Sequence, residues 1–125
     1  MQKTFFVLLG GALGTGFRYG LSTLINSAIK QPEFPYGTFI INVTGSFVIG
    51  ILASLFDARP SVSGVMRAAL MTGVLGGYTT FSSFSLETYT LMRDGRLEAA
   101  ILYASLSVLL GLAAVWSGMR FAQIF

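Results

Sequence analysis

Cysteine and histidine are both missing from this sequence, and charged side chains make up only 10% of it. The first two absences exclude a disulfide framework, thiol chemistry and any metal site built on Cys or His. They also remove the usual nucleophile–base pairings; a serine cluster without a base is donor lining far more often than catalytic machinery, so an enzyme is not expected. The shortage of charge points the same way. A soluble domain carries about 25% charged residues, whereas this chain is 54% hydrophobic with a mean hydropathy of +0.73. It lacks the polar surface to face water, and an integral membrane protein is expected. Its 125 residues suffice for a single domain. A cleaved leader is not expected, because Lys3 is the only early charge and apolar character continues past a short h-region. The net charge of +3 comes from basic residues scattered singly between apolar runs, which gives no footprint for nucleic acid.

What is present is four apolar segments, at about residues 4–29, 36–56, 66–92 and 97–122. Each is long enough to cross a hydrocarbon core, which needs about 20 helical residues. The connectors KQPEFPYG, DARPSVSG and RDGR carry Pro32, Pro35, Pro60 and Gly95. The runs are too long for strands and lack the alternation of a barrel, so the fold class is an all-α membrane bundle of four transmembrane helices. Orientation is normally set by a Lys/Arg bias between the two sides. Here Lys3, Arg59, Arg67 and Arg120 lie on the side of the termini, against Lys30, Arg93 and Arg96 on the other. Four against three leaves two readings open: one fixed topology with a weak signal, or insertion both ways up with pairing as an antiparallel dimer. Gly10 and Gly14, then Gly16 and Gly20, form small-residue faces that allow close helix approach, within or between subunits.

Several in-span polar residues are costly. Arg18 lies near the middle of the first span; an arginine at a helix centre costs about 2.5–3.5 kcal/mol on insertion scales. It either snorkels to the interface or serves an aqueous pathway. Asn42 is short and must tie helices together or face water. Glu87 lies close to Arg93 and the adjoining loop, where a structural salt bridge is expected rather than a transport role. In the third segment Gly76 and Gly77 favour local unwinding, which at membrane depth is tolerated only where backbone is buried in protein or lines a cavity. Freed carbonyls would suit a desolvated cation. Thr79, Thr80, Ser82, Ser83 and Ser85 follow with hydroxyls able to donate to an anion. Phe81 and Phe84 share a helix face, where they either pack or turn positive ring edges to an anion. Tyr103 and Ser107 form a donor-bearing stripe in the fourth segment. A mid-span cation and a surplus of donors suit a small transported anion.

At these residues the chain resembles the Fluc (CrcB) fluoride channels. The resemblance covers essentially the whole chain and rests on GGALGTGFRYG, GTFIINVTGS and, most specifically, TGVLGGYTTFSSFSLE. It implies a fluoride-selective channel in the bacterial cytoplasmic membrane, built as a dual-topology antiparallel homodimer with two pores and the third helix broken near its middle. It implies a structural sodium ion at the dimer interface, held by backbone carbonyls matching Gly76 and Thr79. Phe81 and Phe84 match the pore phenylalanines, Asn42 the pore asparagine and Arg18 the arginine near the vestibule. Thr80, Ser82 and Ser83 fall in the hydroxyl motif, and Tyr103 and Ser107 on a polar track. Where some members continue that track with a hydroxyl, this chain has Gly111. The alternatives are a small dual-topology multidrug or cation exporter and a non-transporting assembly subunit. The exporter needs a carboxylate in the first span, where this chain has Arg18.

Overall fold

Prolines and one turn glycine divide the chain into its helices. The computed structural model describes residues 1–29 and 33–124, so Lys30 and Pro32 lie outside the described residues. Helix α1 (Gln2–Ala28) runs 27 residues without a proline. Helix α2 (Tyr36–Asp57) begins directly after Pro35, whose fixed φ suits a helix entrance. The third segment starts at Ser63, which accepts the Met66 amide at 3.2 Å as an N-cap, three residues before the expected start. It continues as α3 (Gly64–Arg67), a π-helical stretch (Ala68–Leu75) and α4 (Gly76–Tyr78). After two extended residues, Thr79 and Thr80, it resumes as α5 (Phe81–Arg93). Gly95 at φ +75° makes the turn into α6 (Leu97–Ala122). Among the described residues the fold is all-helical, with a bent third segment.

The break differs from the expected one. Gly76 and Gly77 are helical, and the backbone opens at Thr79–Thr80. The reason lies in packing: a Cβ on Gly77 would stand 2.5 Å from the Gly11 carbonyl oxygen, and one on Gly10 2.6 Å from that of Ala69. Gly77 is therefore a contact point where α1 crosses the third segment backbone to backbone, an arrangement favoured within membranes. Gly10 and Gly14 are spent on this internal crossing, whereas Gly16 and Gly20 face open space. A second close crossing joins α2 and α6, where Gly50 faces the Val115 carbonyl and Gly118 that of Phe47.

Two tethers close the ends. The Arg67 guanidinium donates to the Phe56 carbonyl, sits over the Phe56 ring at 5.5 Å and pairs with Asp57 at 3.6 Å. Arg96 donates to the Glu33 carbonyl. The interior is small, centred on Leu91, Ala100 and Tyr103, with Phe34, Phe39 and Phe84 against them. The outside is apolar, with Leu8, Leu13, Leu109, Leu112 and Trp116 all exposed. Among the described residues two unbroken helices, Tyr36–Asp57 and Leu97–Ala122, are both long and apolar enough to cross a bilayer. Helix α1 has the length, but its Gly, Thr and Arg18 dilute its apolar character.

Candidate functional site

The site is built on the break. Asn42, from the second turn of α2, grips Thr80 on both sides of its peptide. Its Oδ1 accepts the Thr80 amide at 2.9 Å, and its Nδ2 donates to the Thr80 carbonyl at 3.1 Å. Thr80 is also the N-cap of α5, its Oγ1 accepting the Ser83 amide at 3.2 Å and donating to Ser83 Oγ at 3.0 Å. Ser82 Oγ lies 3.4 Å from the same hydroxyl.

These bonds release two backbone carbonyls. In a continuous helix the Thr80 amide would bond the Gly76 carbonyl, and the Ser83 amide that of Thr79. Asn42 and the Thr80 hydroxyl take those amides instead. Gly76 and Thr79 both line a cavity of about 350 Å³. Across two positions of α2 the other edge of the break is tied as well. The Tyr78 hydroxyl lies 2.8 Å from Thr44 Oγ1. Gly45 lets that ring lie directly on α2, an added Cβ there falling 3.2 Å from Tyr78 Cδ1.

The wall of this cavity carries Asn42, Thr80, Phe81, Phe84 and Ser107 from the residues singled out in the sequence, with Gly76 and Thr79 at the break. Ser46 and the apolar Ile49, Met71, Leu75 and Val108 join them. The Phe81 and Phe84 rings are 5.6 Å apart, and Phe81 is 78% exposed. Ser107 Oγ is buried and has no hydrogen-bond partner among the described residues. A buried hydroxyl left unpaired carries a desolvation penalty, and this one has its donor free at the cavity wall. Ser82, Ser83, Tyr103 and Arg18 stand outside this wall. Arg18 is half-buried near the middle of α1.

Glu87 does not make the expected salt bridge. Arg93 pairs with its neighbour Asp94 at 3.1 Å, and Glu87 turns inward. Residues six apart on a helix do not share a face, unlike those three or four apart. The Glu87 carboxylate accepts the Thr38 hydroxyl on Oε1 and the Tyr103 hydroxyl on Oε2, both at 2.7 Å. Tyr103 is fully buried behind Phe84, ring centroids 5.2 Å apart. Glu87 and Thr38 open onto a second cavity of about 320 Å³ beside Asn26, Phe34 and Tyr36. Sequence reasoning missed Thr38 and Ser46. The signal for both was available: Thr38, Asn42 and Ser46 recur every four residues, a polar stripe along one face of α2.

Residues 5–119 match the family described as CrcB-like protein, Camphor Resistance (CrcB). A relative from Flavobacterium psychrophilum is 42% identical over 123 residues, 98% of each chain. One from Rhodospirillum rubrum is 51% identical over 115 residues, 90% of this chain and 88% of its own. A third, from Roseiflexus sp., is 46% identical over 119 residues, 94% of each. All three are named fluoride-specific ion channel FluC.

Proposed function

From the premise that the chain belongs to the CrcB family, we propose that it is a fluoride-specific ion channel, passing fluoride out of the cell down its gradient. It is a membrane channel and not an enzyme. Hydrofluoric acid crosses membranes neutral and ionises in a less acidic cytoplasm, which traps the anion; a selective leak releases it. The observation that carries this reading is the unpaired Ser107 hydroxyl in the same cavity wall as Asn42, Thr80 and the two phenylalanines. Fluoride is small and strongly hydrated, so a path must replace its water with donors. The second Nδ2 proton of Asn42, the Ser107 hydroxyl and the positive ring edges of Phe81 and Phe84 offer that exchange. Ser82 and Ser83 extend the donor cluster around Thr80, and Tyr103 backs Phe84 with its hydroxyl held by Glu87. Arg18 supplies the positive charge that draws an anion to the mouth. A larger anion such as chloride is refused by width and by donors spaced for a smaller ion.

The same reading assigns a structural sodium ion to the break. The residues fit one, since the Gly76 and Thr79 carbonyls have lost their helical partners and hard oxygen donors suit such a cation. A sodium ion held there would supply positive charge against those carbonyl dipoles without being transported. A second copy of the chain would bring the same two carbonyls to the site. The exposure of Phe81 and the open side of the main cavity support an antiparallel homodimer in the lipid of the bacterial inner membrane, each chain crossing four times. Nearly equal Lys/Arg counts on the two sides support dual topology.

The test is anion efflux from liposomes holding only this purified protein, read by fluoride and chloride electrodes in parallel. Rapid fluoride release with chloride retained is expected. Retention of both anions by folded protein with sodium present would sink the reading.

A further inference from the structure

The stripe of donors on α6 stops one turn after Ser107, at Gly111, which has no side chain to offer. The space in front of Gly111 is filled from the other side of the crossing. A Cβ built on Gly111 would lie 3.6 Å from Ser46 Oγ, at ordinary van der Waals distance. Ser46 sits one turn beyond Asn42 on the same face of α2 and lines the same cavity as Asn42 and Ser107. Its hydroxyl makes no hydrogen bond among the described residues. Neighbouring hydroxyls behave differently: Thr44 returns to the Ile40 carbonyl, Ser85 to that of Phe81 and Thr88 to that of Phe84. A helical serine normally satisfies itself this way when nothing else is offered.

From this placement we infer that Ser46 is a further donor to the permeating anion, carrying the polar path from α6 across to α2 where Gly111 interrupts it. Ser46 and Ser107 flank one cavity from two helices, each with an uncommitted hydroxyl. A desolvated fluoride needs several donors in its shell at once, and two hydroxyls on facing helices can close around it as one hydroxyl cannot. Gly111 is part of the arrangement, because a side chain on α6 at that position would project toward the Ser46 hydroxyl. The inference rests on the fluoride-channel reading.

The exchange of a hydroxyl between helices gives a rescue test. Fluoride efflux from liposomes would be compared for the wild type, Ser46→Ala, Ser46→Thr and the double variant Ser46→Ala/Gly111→Ser, with thermal unfolding followed in detergent. Ser46→Ala is expected to slow fluoride efflux by about tenfold or more, the factor for a lost hydrogen bond to an ion. Its unfolding midpoint should be unchanged, since no intramolecular bond is lost. Ser46→Thr should keep most of the efflux, and Gly111→Ser should return it by supplying the hydroxyl from α6. Wild-type efflux in Ser46→Ala, or a loss in Ser46→Ala that Gly111→Ser leaves uncorrected in folded protein, would overturn the inference while leaving the channel reading intact. A wild type that retains fluoride would overturn both.

Discussion

Asn42 combines two duties that pull a substitution in one direction. It braces the break through both polar atoms of the Thr80 peptide, and it faces the cavity. Asn42→Asp keeps an acceptor for the Thr80 amide but sets a carboxylate against the Thr80 carbonyl and negative charge in the path. Fluoride efflux is expected to fall by at least about tenfold, and an unchanged rate in liposomes would remove Asn42 from the path. Ser107 separates function from stability more cleanly. Its hydroxyl bonds nothing among the described residues, so Ser107→Ala removes a buried unpaired donor and should leave the protein at least as stable as the wild type. Efflux should still fall, and a variant that conducts normally would return Ser107 to a packing role. The cost of Asn42 at its depth is legible in the sequence; its clamp on a partner 38 positions away is not, because nothing local marks Thr80 as that partner. Glu87 was misplaced for a related reason. Proximity in sequence to Arg93 suggested a pair that helix geometry forbids, while its true partners come from α2 and α6.

Among the elements, the apolar runs lie under the four helical segments with shifts of a few residues, since proline and glycine punctuate the connectors. The interior of the third segment was harder to read. Nothing in AALMTGVL distinguishes a π-helical stretch from an α-helix, because that choice is made by packing against α1. The break was placed at the glycines when its chemical signature lay three residues on, in Thr80 capping Ser83. Glycine here serves contact, and that distinction is measurable. Gly77→Ala drives a Cβ onto the Gly11 carbonyl, backbone that cannot rotate away, and should destabilise the protein by about 1–3 kcal/mol. Gly20→Ala meets nothing within 4 Å and puts a better helix former inside α1, so unfolding in detergent should show no loss of stability. Equal losses in the two variants would show that the crossing of α1 with the third segment is not where glycine matters.

One chain presents an apolar exterior, a cavity open on one side and a backbone break along its wall. On the proposed reading a second copy would complete each of them. Antiparallel pairing needs chains inserted both ways, and a four-against-three division of Lys and Arg permits this because orientation follows that difference. The balance can be broken deliberately at exposed positions. Ser61→Arg with Gln123→Arg adds charge to the side of the termini, whereas Glu33→Lys with Glu98→Lys adds it to the other. Each double variant produced alone should insert one way up, form no antiparallel pair and release no fluoride. Co-expression of the two should restore efflux, since each supplies the orientation the other lacks. Full efflux from either variant alone, with its single orientation verified by labelling from one side of the membrane, would exclude dual topology and leave a parallel pair or a lone chain as the conducting form.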